Sequence, residues 1–102
     1  MRELAAAKLA KDPRIAEAKR LLREALLAAQ ADLAGVRPPD PDLAEAYGET
    51  LARFAELRGA SLYYPYLGSG IGRGPLVELA DGSVKYDFIT GIGVHYLGHN
   101  HP

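Results

Sequence analysis

Cysteine and tryptophan are absent from this chain of 102 residues, and methionine occurs once. Without Cys there can be no disulfide, no thiolate nucleophile and no cysteine metal ligand, which fits a reducing compartment. Charge of one sign is lacking too. A formal net charge of -1, with no clustered Lys and Arg, offers no field to attract nucleic acid or anionic lipid, so neither is an expected partner. Long apolar runs are also missing. Arg, Lys or Glu breaks every candidate within a few residues, which leaves no signal-peptide core and no membrane span and makes a cytoplasmic location the expectation. What remains, at 48% hydrophobic and 25% charged, is the composition of one small globular domain.

The chain changes character near Gly59. Residues 1–59 hold ten Lys/Arg, ten Asp/Glu and three Gly, whereas residues 60–102 hold two, three and eight. In the first part Asp12-Pro13 reads as an N-cap followed by Pro at the first helical position, where its missing N–H costs nothing. Ile15, Ala18, Leu22, Leu26, Ala29 and Leu33 follow at spacings of three and four, one apolar stripe that Gly35 and Pro38-Pro39 can end; the predicted helix covers about 13–34. Asp40-Pro41 repeats the opening. Leu43, Ala46, Tyr47, Leu51 and Phe54 form a second stripe, and Gly59 closes a helix over 41–58. Two amphipathic helices on a short Pro-rich link predict a helical hairpin. The mixed charges Glu17, Lys19, Arg20, Arg23 and Glu24 read as a solvated face, and Ala5-Ala6-Ala7 as helix propensity. Two helices alone bury little, so both stripes call for a further surface, from a partner or a second copy.

The second part predicts strands. A two-residue Asp81-Gly82 loop would set Ala80 opposite Ser83, Leu79 opposite Val84, Glu78 opposite Lys85, Val77 opposite Tyr86 and Leu76 opposite Asp87. That register gathers Val77, Leu79, Val84 and Tyr86 on one face and pairs Glu78 with Lys85 on the other. Upstream, Ser61-Leu62-Tyr63-Tyr64 is β-prone but interrupted by Pro65, which predicts a short edge strand or an extended arm. The tract from Gly68 to Gly74 invites a phosphate-loop reading. Its spacing opposes that: Arg73 stands where a dinucleotide fingerprint needs Gly, Pro75 and a strand follow instead of a helix, and no Gly-Lys-Ser or Gly-Lys-Thr is present. A flexible or tightly turning loop is the expectation. The fold class is therefore α+β: a helical part over 1–59, then an extended arm, an antiparallel hairpin and a Gly-rich loop over 60–102.

Near the end of the sequence His95, His99 and His101 could supply three imidazoles to zinc or copper. Gly98 and Pro102 flank two of them and no second-shell carboxylate is close in sequence, so a structural role is favoured over a metal site.

Asp81-Gly82, Tyr86-Asp87-Phe88, Gly91-Ile92-Gly93 and Gly98-His99-Asn100-His101-Pro102, in this order, resemble the N-terminal part of the class III aminotransferases, pyridoxal-phosphate enzymes of fold type I. The likeness covers about Gly70 to Pro102. It implies that Gly98 to Pro102 turn into a helix that the family builds next, and that Ile92 lines the substrate pocket between Gly91 and Gly93, whose lack of side chains lets a ligand approach the backbone. Ile92 and Val94 packed in the core is the alternative. The resemblance also implies a parent enzyme that transfers an amino group between an amino acid or amine and a 2-oxo acid, works as a homodimer and carries pyridoxal 5′-phosphate. Such enzymes need a Schiff-base lysine, an acidic partner for the pyridine nitrogen and a phosphate-binding loop on a large α/β domain. Lys8, Lys11 and Lys19 fall in the helical part and Lys85 is assigned to Glu78, so no catalytic residue and no cofactor ligand can be named here. These residues read as an N-terminal fragment, silent alone and lacking cofactor. The competing expectation is a free-standing, non-catalytic α+β binding module, with His95, His99 and His101 as its possible metal ligands.

Overall fold

The computed structural model describes residues 1–95 and 97–102. Its class is α+β, with helices preceding a three-stranded antiparallel sheet, as the sequence predicts. A short helix α1 (Ala5–Ala10) precedes α2 (Pro13–Gln30). The start of α2 is the predicted one: the Asp12 side chain accepts from the Arg14 amide and Pro13 occupies the first turn. Its end comes earlier than the stripe predicts, for a tertiary reason. The Gln30 side chain donates from Nε2 to the carbonyls of Gly72 (2.9 Å) and Asn100 (2.8 Å). Three residues on, Leu33 enters the core. Chain needed in the body cannot continue a helix that points away from it.

A single 3₁₀ turn (Pro41–Leu43), capped by Asp40, leads into α3 (Ala44–Arg58), so helical structure begins at Pro41 as expected but tightens first. Gly59, at φ 78°, ends α3 in the left-handed conformation that favours glycine. The predicted helical hairpin does not form. The packing partner of α2 is the sheet, and α3 is tied instead to the arm that follows it, where Tyr47 Oη donates to the Pro65 carbonyl (2.7 Å) and accepts from the Leu67 amide (3.0 Å). Ser61 to Tyr64 lie in that irregular arm and form no strand.

The strands are β1 (Gly68–Arg73), β2 (Leu76–Leu79) and β3 (Val84–Tyr86), in sheet order β1-β2-β3. Two expectations are corrected here. The glycine tract is a strand and not a loop, paired with β2 through an irregularity between Gly68 and Gly72. The hairpin register is shifted by one: Leu76 faces Tyr86, Val77 faces Lys85 and Glu78 faces Val84. The turn explains the shift. Leu79 donates to the Ser83 carbonyl (2.8 Å) and Gly82, at φ 81°, donates to the Leu79 carbonyl (2.9 Å). The loop thus has three residues, Ala80 to Gly82, with glycine in the left-handed position, a recognised alternative to the two-residue turn. Asp81 Oδ1 fixes it by accepting from the Ser83 amide (3.0 Å) and hydroxyl (2.6 Å).

One residue of slip exchanges the faces of a strand relative to its neighbour. Val84 therefore sits with Leu76, Leu33 and Ile71 in the core, while Val77 and Leu79 share the opposite face with Lys85. Glu78 has a different partner from the expected one, Arg37, whose guanidinium lies 2.7 Å away. Arg37 also exchanges backbone hydrogen bonds with Val84 and covers the outer edge of β3. The edge of β1 is closed at Gly72 by two side-chain amides, Gln30 on its carbonyl and Asn100 on its N–H (2.6 Å). The core is small, and most of the α2 stripe stays outside it; Leu22 is 71% exposed. The radius of gyration is 18.6 Å, against about 13 Å for a compact chain of this length. Among the described residues no helix is long and apolar enough to cross a membrane.

Candidate functional site

A part-buried polar site follows β3, where the chain leaves the sheet at Asp87. The Asp87 amide donates to the Pro75 carbonyl (2.7 Å). Its side chain then takes three donors or partners at once. Oδ1 accepts from the amides of Ile89 (2.9 Å) and Thr90 (2.8 Å), and Oδ2 lies 2.8 Å from His99 Nε2. A short polar side chain that captures amides two and three residues on sets a local turn. Here it also fastens the two ends of a twelve-residue excursion. His99 completes the closure by donating its amide to the Gly74 carbonyl (3.0 Å). Gly72 makes room for this closure, since a Cβ there would overlap the His99 side chain and lie 2.7 Å from the Leu76 carbonyl oxygen.

Inside this closure the backbone is unusual. Thr90, Gly91, Ile92 and Gly93 all have positive φ, at 54°, 60°, 59° and 88°. Glycine accepts this conformation freely, whereas a β-branched residue in it is strained. The His95 amide, donating to the Thr90 carbonyl (2.9 Å), spans the turn, and the His95 ring stacks on His99 with centroids 4.1 Å apart. The turn leaves Ile92 93% exposed and Val94 78% exposed, so neither packs in the core. Gly91, Ile92 and Gly93 together make a protruding tip.

The Asp87 carboxyl is held below the usual carboxylate range, chiefly by the Thr90 amide and then by the His99 ring, against a smaller opposing effect of burial. A cleft of about 310 Å³ opens beside the pair, bordered by Pro75, Asp87, Thr90, His95, Leu97 and His99. A second, of about 470 Å³, lies on the face of the sheet that carries Val77, Leu79 and Lys85, bordered by Tyr66 and Phe88. The three histidines do not converge: His99 is engaged by Asp87 and His95 by ring stacking, and His101 is exposed. Among the described residues no group of three His, Cys, Asp or Glu is placed to hold a metal ion.

The Asp87–His99 pair escaped the sequence reading, although Asp87 three residues before Thr90 carries the mark of a side-chain-stabilised turn. The ammonium of Lys85 lies 5.8 Å from the centroid of the Tyr66 ring, and Asp87 is committed to its own loop. Comparison with protein-family models, with curated proteins and with solved structures finds no significant match to this chain.

Proposed function

We infer that these residues are the N-terminal part of a cytoplasmic class III aminotransferase, a pyridoxal-phosphate enzyme that moves an amino group between an amino acid or amine and a 2-oxo acid. One observation supports this. Residues of the motif run act on one another: Asp87 and His99 bind across the loop, and the closure between them displays Ile92 between Gly91 and Gly93, where a substrate could touch its side chain. Ile92 then selects among amino donors by size and apolarity, with the cofactor-bearing residues on chain beyond Pro102 and a second subunit completing the site.

The coding sequence downstream of Pro102 tests this directly. A continued frame encoding a large α/β domain, whose purified product carries pyridoxal phosphate on a lysine trapped by borohydride, is the expected result. A stop codon after Pro102 together with a cofactor-free natural product would end the proposal. The 102-residue chain alone, mixed with pyridoxal phosphate and borohydride, is expected to gain no stoichiometric label by mass spectrometry. A second reading, a free-standing binding module without catalysis, is favoured by the aromatic cleft over β2 and β3.

A further inference from the structure

The shifted hairpin register has a chemical result. In the register expected from a two-residue turn, Val77 and Leu79 would lie beside Val84 and Tyr86 on a wholly apolar face. In the observed one Val77 is paired with Lys85. A cation therefore stands on an apolar floor, and the cleft of about 470 Å³ above it is walled by aromatic rings. On one side the Tyr66 ring lies under the ammonium, 5.8 Å from Nζ to the ring centroid. On the other Phe88 borders the cleft, and the Tyr86 ring, on the core face opposite Leu76, stacks against it with centroids 5.8 Å apart.

The anions nearby are already engaged. Asp81, whose carboxyl feels the Lys85 charge, accepts from the Ser83 amide and hydroxyl. Asp87 borders the cleft but gives its oxygens to Ile89, Thr90 and His99. Glu78 lies on the other face with Arg37. Among the described residues no carboxylate lies within ion-pair distance of Lys85. We propose that this cleft binds a small, flat, apolar monocarboxylate, its ring between Tyr66 and Phe88 over Val77 and Leu79, and its carboxylate on Lys85 Nζ. The volume lies within the range of small-molecule sites, and an apolar lining with one placed charge is their usual chemistry. A lone ammonium suits a single negative charge, whereas bidentate phosphate recognition is the chemistry of guanidinium groups, and no Arg lines the cleft. The inference stands apart from the aminotransferase proposal.

The test is an amide-shift titration by NMR of the 102-residue chain, without cofactor, using 2-naphthoate and its neutral isostere 2-naphthamide. The acid is expected to shift the amides of Val77, Leu79, Lys85 and Tyr86 saturably and to bind about tenfold more tightly than the amide, the effect of one charge-assisted contact. Lys85→Met should abolish that preference, and Lys85→Arg should retain it; an otherwise unchanged amide spectrum verifies that each variant is folded. Equal affinity for the two probes, shifts outside the cleft, or a preference that survives Lys85→Met would each overturn the proposal. None of these outcomes depends on whether a parent enzyme transaminates.

Discussion

Asp87 is the residue on which most of the candidate site turns. Replacing it with Ala removes an acceptor from two amides and the partner of His99. The expected loss is about 1.5–3 kcal/mol of unfolding free energy, measured by urea denaturation. Asp87→Asn keeps an oxygen for the amides and should lose less. The pH dependence follows from the lowered folded-state pKa. A carboxylate of this kind stabilises the fold above its unfolded value, about 3.9, and that contribution fades as pH falls through the lower folded value. The gap between wild type and Asp87→Asn should therefore be full at neutral pH and close in acid, as the pH falls below the ordinary carboxylate value. A gap that stays constant across that range would show that the charge contributes nothing. At the same scale, Gly72→Ala should destabilise by about 1–3 kcal/mol and perturb His99 in the NMR spectrum, because a methyl group at this position meets the His99 side chain.

Among the elements, those whose ends are local events were legible and those whose ends are tertiary were not. Asp12-Pro13 and Gly59 mark a helix start and a helix stop by the chemistry of their own neighbourhood, and the structure has both. The end of α2 lies at Gln30 because that side chain meets Gly72 and Asn100, residues 42 and 70 positions away; no nearby residue announces it. Gln30→Ala would leave two carbonyls without their donor. It should cost about 1–3 kcal/mol and, by hydrogen exchange, loosen β1 more than α3. Strand β1 was illegible for a related reason. Its glycines carry no alternating pattern, and its pairing depends on β2 inside and on two side-chain amides outside. The hairpin itself was legible, but its register was not, because Asp-Gly suits turns of both two and three residues and Asp81–Ser83 contacts decide between them. In the site, a Gly-rich loop after the hairpin was legible, while the exposure of Ile92 and the pairing of Asp87 with His99 emerge when the fold brings residues twelve apart together.

For the whole molecule the dominant fact is unspent apolar surface. Leu21, Leu22 and Leu27 on α2, Leu57 on α3 and Phe88, Ile89, Ile92, Val94 and Leu97 beyond the sheet are all exposed. Apolar surface exposed on this scale favours association. At high concentration the chain should elute above the size of its 11.0 kDa monomer, and Leu22→Glu should shift it toward the monomer without altering the helical content. Elution at monomer size at every concentration would show that the α2 stripe attracts no second copy. The same surface is what a domain boundary looks like from one side, so a longer product should bury it.

Helix α2 joins the body at one end, through Gln30 and Leu33, and is 18 residues long. A rod of about 27 Å clamped in this way is a lever. A tilt of about 10° at the clamp carries the far tip through about 5 Å, so a spin label at Arg14 would report small adjustments around Asn100 and Gly72 as large changes in distance to the hairpin.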